Sequence, residues 1–399
     1  MRIPFGDSYM ILERQADIVS IRRNKSEPLS DLDIITQIHE FVKSLNAQDR
    51  TVAIAIPDIT RPRIPDVLLE ELIKELKKKG SKDIILIIAT GLHPPLESYM
   101  EIISSKIHEM KVNITFHNPN NDISYLGVTS KGTPVFVNKR FLKADVKISI
   151  GVVEPHQFAG FSGGYKGILI GLGGKETICK NHSMMISPNA KLGVLKGNPV
   201  REDIEEAAKF IKNVFFINLI LDSKNRLIKI FWGSDTESYK KAVEYIKKTS
   251  GVSVKKKYDV VITSPGGFPR DIDLYQAQKA LTVAEFFCKP SGSIILVAEC
   301  RMGFGEKQYV KLLRTVKSPE DVLNNFDFEN FEVGPHKAVL FARTLTRFNV
   351  RIVSRIPGEE FKDMFMKSFS NLYKALEDIP PDREILVIPN ALQILPIEN

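Results

Sequence analysis

Cysteine is scarce in this chain: Cys179, Cys288 and Cys300 are the only three in 399 residues, and no two of them form a CxxC pair. A framework of disulfides is therefore excluded, and a reducing, cytoplasmic setting is expected. Long apolar runs are missing as well. No window approaches the roughly 18 uninterrupted apolar residues of a membrane span, and the start MRIPFGDSYMILERQ has no leader-like apolar core. No membrane partner is expected. Basic residues exceed acidic ones by 56 to 48, but they gather in short runs such as Lys77 to Lys79 and Lys255 to Lys257. These runs are not interleaved with stacking aromatics, so a nucleic-acid partner is not expected either. There is no internal repeat and no low-complexity tract.

What is present is an α/β pattern. The runs 51–56 (TVAIAI), 83–89 (DIILIIA) and 145–150 (DVKISI) are short and rich in β-branched residues, as strands buried on both faces are. Between the first two, residues 65–79 place Val67, Leu68, Leu72, Ile73 and Leu76 on one helical face before Gly80. Strand, helix and strand at this spacing predict a parallel sheet whose ligands bind beyond the carboxyl ends of its strands. A second α/β pattern starts near residue 258 after a linker at 250–257. At this length two domains are the default. The expected architecture is two α/β domains with mainly parallel sheets and an interdomain active-site cleft. Residues 1–252 would form the cofactor-binding domain, which 383–399 could complete, and 258–380 the substrate-side domain.

Chemistry-bearing residues crowd the three predicted strand ends. The first loop, PDITRPRIP (57–65), carries Asp58, Ile59, Thr60 and Arg61. A helix cap from Asp58 or Thr60 weighs about equally with a site there, while the Arg61 guanidinium suits a carboxylate or phosphate. The second, TGLHPP (90–95), holds His93, a lone loop histidine that becomes an acid/base candidate beside Arg61. The third, Glu154 to His182, packs His156, Lys166 and His182 among Gly160, Gly163, Gly164, Gly171, Gly173 and Gly174. Glycine at this density admits positive φ and close approach of a ligand. Lys166 reads either as a surface lysine or as a phosphate contact or covalent amine anchor. Cys179 and His182 alone are weak evidence for zinc, since further ligands at suitable spacing are missing. In the second domain Tyr275 and Lys279 share one helical face with Gln276 at its edge, which by itself reads as an ordinary solvated helix.

Together, EPHxFAGFSGGxK, the NH pair sixteen residues after that lysine, GNPVREDIEEAA, DITRP, TGLH, YQAQK, ECRMGFG and PHKA resemble the nickel-dependent lactate racemase family. The resemblance spans both expected domains. It implies a racemase or epimerase of a small-molecule 2-hydroxy acid that depends on a nickel-pincer nucleotide, Ni(II)-pyridinium-3,5-bisthiocarboxylate mononucleotide, made by dedicated biosynthesis enzymes. By the same resemblance Lys166 carries that cofactor covalently, His182 ligates the nickel, and His93 and His156 are the paired acid/base groups. Asp58, Ile59, Thr60 and Arg61 would bind the cofactor. Arg61, Tyr275, Gln276 and Lys279 would bind substrate. Hydride transfer from C2 fits the physical problem, because direct deprotonation makes a carbanion beside a carboxylate and acid/base help supplies only about 10² to 10⁴ in rate.

Two departures stand out. Pro94 replaces an arginine common in the family, which bears on substrate identity, and Ile170 replaces a proline. Two other function classes fit the residues less fully. One is a zinc-dependent hydrolase using His156, Cys179 and His182; the other is a non-catalytic nucleotide- or cofactor-binding protein.

Overall fold

The structure is a computed structural model that describes every residue except 20, 22–25, 94–99, 101–102, 104, 235, 328–330, 332–333 and 399. The chain divides into two compact units, Lys25–Lys248 and the pair of segments Met1–Asn24 and Thr249–Asn399. In the first unit six strands form one sheet: β1 (Thr51–Pro57), β2 (Asp83–Ala89), β3 (Asn113–Phe116), β4 (Val146–Val152), β5 (Val214–Leu221) and β6 (Leu227–Ser234). Their spatial order is β6-β5-β4-β1-β2-β3. All neighbours run parallel except β5 and β6.

The apolar runs account for this sheet. Val52 to Ile56 are buried on both sides of β1, and β1 pairs with β2 on one flank and β4 on the other. The helix Asp66–Lys78 lays Leu68, Leu69, Leu72, Ile73 and Leu76 into the core with Ile54 and Leu86. Its start differs from the capped start allowed by the sequence. Pro65 stands at the N-cap and no side chain caps the helix, so neither Asp58 nor Thr60 is spent there. Gly80, at φ +80°, follows the helix end as expected.

In the second unit the strands are β7 (Tyr258–Thr263), β8 (Cys288–Val297), β9 (Asn349–Val353), β10 (Lys367–Phe369) and β11 (Ile385–Ile388), with Asp17–Ile18 as a short edge. The order is β10-β9-β8-β7-β11 and then Asp17–Ile18, all parallel. The last apolar run therefore joins this sheet, as β11. The first residues, a separate hairpin of Arg2–Phe5 and Ser8–Ile11, share its core through Ile3, Phe5 and Leu12, which cluster with Val260, Ile262 and Val297. The stretch at 250–257 is not all linker, since Gly251–Ser253 pairs with Leu395–Ile397. Among the described residues no helix is long and apolar enough to cross a membrane.

Candidate active site

Because β1, β2 and β4 are parallel neighbours, the loops after them leave one edge of the sheet. Asp58 follows β1 and is buried. Its Oδ1 accepts from the Thr60 amide at 3.0 Å and the Thr60 hydroxyl at 2.6 Å, and its Oδ2 lies 2.6 Å from His93 Nδ1. Burial alone would raise the carboxyl pKa, but charge and hydrogen bonding from His93, the nearby Arg61 and Thr60 outweigh it and hold it down at about 2. Asp58 is thus an ionised, acceptor-only group at neutral pH. His93 must donate from Nδ1, which leaves the lone pair of the neutral ring on Nε2. Arg61 is braced from the same side, its guanidinium donating to the Thr60 carbonyl at 3.2 Å and hydroxyl at 3.0 Å. Ile59, half-buried, brings only apolar surface to this turn.

The glycine-rich stretch reaches this loop through the Gly91 amide, which donates to the Gly171 carbonyl at 2.9 Å. Lys166 opens the short helix Lys166–Leu169 and is buried. Its amine finds no hydrogen-bond partner among the described residues. Burial, then the charges of Arg61 and Arg201, lowers its pKa from 10.5 to about 7. A large share of the unmodified amine is therefore neutral, and so nucleophilic, near pH 7. Not all the glycines serve a ligand. A Cβ on Gly171 would lie 2.3 Å from the Gly167 carbonyl oxygen, and one on Gly173 2.0 Å from that of Leu169. These two let the chain pack on itself.

His156 sits in a tight hairpin, paired opposite Gly160, and its Nδ1 accepts from the Ala159 amide at 3.2 Å. His182 lies in the last turn of the helix Lys175–Ser183 and is buried. The Phe158 ring meets both histidines edge-on, at 4.7 Å from His156 and 5.1 Å from His182. Cys179 does not join them as a metal trio. Among the described residues the only three ligand-type side chains whose atoms fall within 4.8 Å of one another are His39, Glu71 and Glu75. There Glu71 already pairs with His39 at 2.6 Å and Lys74 at 3.1 Å.

In the second unit the YQAQK segment forms a short helix, Leu274–Ala277, which continues as Lys279–Phe287. Asp273 caps it by accepting from the Gln276 amide at 2.7 Å. The ECRMGFG loop holds the same turn, since the Gly303 and Phe304 carbonyls accept from Leu274 and Tyr275 at 3.0 and 3.2 Å. Lys279 donates to Gln276 Oε1 at 2.5 Å. Lys337 of the PHKA segment lies 3.5 Å from the centre of the Tyr275 ring and donates to the Tyr275 carbonyl at 2.9 Å.

The lactate racemase N-terminal domain description matches residues 22–193, and the lactate racemase C-terminal domain description matches residues 253–395. The chain belongs to the lactate racemase family. A lactate racemase of Thermoanaerobacterium thermosaccharolyticum is 30% identical over 99% of this chain and 98% of its own length. One of Lactiplantibacillus plantarum is 32% identical over 86% of this chain and 84% of its own length. The solved lactate racemase apoprotein from T. thermosaccharolyticum superposes with a TM-score of 0.88 at 30% identity, covering 100% of this chain and 99% of that one. A Thermotoga maritima protein of 18% identity shares the fold, with a TM-score of 0.77 over 93% of this chain and 99% of its own. As a member of the lactate racemase family the chain is an isomerase of the racemase type.

Of the two departures from the family pattern, Pro94 lies outside the described residues, whereas Ile170 has a visible use. Its amide donates to the Lys166 carbonyl at 3.1 Å, a bond that a proline does not make. Three residues near the lactate racemase motifs escaped the sequence reading. Arg201 and Asp203 look like solvated charges in REDIEE, yet both are buried, Arg201 with its guanidinium 4.2 Å from the centre of the Tyr239 ring. Lys337 was legible only as part of PHKA. Burial of charge inside an amphipathic helix leaves no periodic mark.

Proposed function

We propose that this protein racemises or epimerises a lactate-like 2-hydroxy acid with a nickel-pincer nucleotide attached to Lys166. The observation that carries the reading is Lys166 itself: a buried amine, without a hydrogen-bond partner among the described residues and with its pKa near 7, beside Arg61 of the loop whose Asp58 pairs with His93. Such an amine suits attachment to an activated acyl or thioacyl group, and Arg61 and Arg201 suit an anionic ligand next to it. His182 would supply the protein's nickel ligand. Asp58, Ile59, Thr60 and Arg61 would line the cofactor's loop. When bound, that group supplies a reversible acceptor for the C2 hydride, so that no carbanion forms beside the carboxylate.

The protein's own part is proton traffic and positioning. With its Nδ1–H donating to the Asp58 carboxylate, His93 would present Nε2 as a base. With the Ala159 amide donating to its Nδ1, the neutral form of His156 carries its proton on Nε2. Inversion at C2 needs one group to take the hydroxyl proton and another to return one, roles that His93 and His156 would fill. By the family resemblance Arg61, Tyr275, Gln276 and Lys279 would bind substrate. The zinc-hydrolase reading loses its support, because His156, Cys179 and His182 form no trio of ligand atoms within 4.8 Å.

The test is intact-mass and metal analysis of protein produced together with cofactor biosynthesis enzymes. A nickel-containing adduct mapped to Lys166, with turnover of D- and L-2-hydroxy acids, is expected. An unmodified lysine under those conditions refutes the proposal.

A further inference from the structure

Behind His182 lies a buried polar chain whose hydrogen-bond polarity runs in only one direction. Asp203, 1% exposed in the helix Pro199–Ala208, is the anchor. Its Oδ1 accepts from the Thr129 hydroxyl at 2.6 Å, and its Oδ2 accepts from the Thr133 hydroxyl at 2.9 Å and from Asn181 Nδ2 at 2.9 Å. Asn181, also 1% exposed, donates from the same Nδ2 to the Val200 carbonyl at 3.0 Å. A carboxylate and a carbonyl can only accept, so the NH₂ end of this amide must face them. The other end, Oδ1, then points to His182 Nδ1 at 3.2 Å. An amide oxygen cannot donate. His182 must carry its proton on Nδ1, and the lone pair of the neutral ring is left on Nε2.

We propose that Asn181, held by Asp203, Thr129 and Thr133, is a positioning group that locks His182 in the Nδ1–H tautomer and so readies Nε2 as a metal ligand. The metal part rests on the proposed function above; the tautomer part does not. The chemistry is general, since a ligating imidazole is oriented and its tautomer chosen by the partner of its other nitrogen. This lock uses a neutral amide as the immediate partner and keeps the carboxylate one residue back, so the charge on Asp203 fixes direction without itself pairing with the ring. Three donors on that carboxylate offset the cost of burying it with no ion pair among the described residues. The same chain ties three pieces of backbone together: the turn at 129–133, the helix carrying His182 and the helix carrying Asp203.

The test begins with cofactor-free protein labelled with ¹⁵N-histidine, in which two-bond ¹H–¹⁵N correlations report the tautomer of each imidazole. Wild-type His182 is expected as the Nδ1–H form. In Asn181→Ala the Nε2–H form, which free imidazole side chains prefer, should become the major one, while the melting transition stays cooperative. Wild-type His182 found as Nε2–H overturns the proposal outright, and this arm needs no variant to fold. A folded Asn181→Ala protein that keeps the Nδ1–H form overturns it as well. In loaded protein, loss of this outer partner should weaken nickel retention against a competing chelator by about 10- to 100-fold, with the Lys166 adduct still present by mass. Equal retention in wild type and variant would overturn the metal part. Absence of any adduct in the wild type would count against the proposed function instead, leaving the tautomer result standing.

Discussion

The polar clusters of the two units are built in contrasting ways. In the unit Lys25–Lys248 the key groups are displaced from their ordinary chemistry: Asp58 is held near pKa 2, and Lys166 near 7 without a hydrogen-bond partner among the described residues. In the other unit the cations are settled. Lys279 donates to Gln276, and Lys337 donates to the Tyr275 carbonyl and lies over its ring. The first arrangement suits groups that form bonds or move protons. The second suits groups that present charge in a fixed place. The contrast predicts that substitutions in the first unit strike kcat, and those in the second strike KM.

The sharpest break comes at Lys166. Lys166→Ala should abolish the adduct and reduce turnover to background, a loss of at least ~10³-fold if the cofactor carries the hydride step. The same site should also show a gain in stability. The folded pKa of Lys166 is about 7 against an ordinary 10.5, so between those values the unfolded chain binds a proton that the folded chain does not. Stability therefore rises with pH across that window, and the penalty is fully present below it. Lys166→Met removes the penalty. Unmodified variant should exceed unmodified wild type by on the order of 2–4 kcal/mol at pH 6, a gap that closes toward pH 10. Urea melts at the two pH values decide this, and an equal gap at both would contradict a buried, depressed lysine.

The next largest effect is expected at Asp58. Asp58→Asn keeps the shape but lets the amide donate, so His93 Nδ1 can become the acceptor and the Nε2 base is lost. A fall in kcat of roughly 10²- to 10³-fold is expected with KM little changed. If instead KM rose with kcat intact, Asp58 would belong to binding, and the contrast would weaken. In the other unit, Lys279→Ala should raise KM by about 10- to 100-fold, as loss of a charge-assisted contact to a carboxylate does, with kcat affected less. An equal fall in both kcat and kcat/KM would place Lys279 in the chemistry.

Much of the first unit was legible because its strands are continuous apolar runs and a parallel sheet gathers the loops after them. The loops with Asp58, Arg61, His93 and the Glu154–His182 stretch were expected at one edge on that ground, and Asp58 and His93 lie 2.6 Å apart. The helix after Arg61 was legible by period, but its cap was not, because an uncapped start at Pro65 leaves no pattern. The return of residues 1–24 to the second unit was hidden for another reason. Asp17–Ile18 is a two-residue strand beside Leu386 and Val387, too short for any periodicity and paired across most of the chain. The glycines gave a mixed signal, since several admit the chain's own backbone rather than a ligand. Asp203 was invisible as part of the His182 support because its partners, Thr129, Thr133 and Asn181, are dispersed in sequence.

The smallest expected effect is also the finest probe of the contrast. Asp273 caps the turn carrying Tyr275 and Gln276 by accepting from the Gln276 amide at 2.7 Å. Asp273→Ala should cost about 1 kcal/mol of stability, the usual value of a lost cap. Because the turn then frays where the proposed substrate-binding groups start, KM should rise only a few-fold while kcat stays within about twofold. Asp273→Ser, which restores a capping oxygen, should recover both stability and KM. A kcat that fell in step with stability and returned with serine would show that the turn takes part in the reacting geometry. The two units would then share the chemistry, not divide it into reaction and recognition.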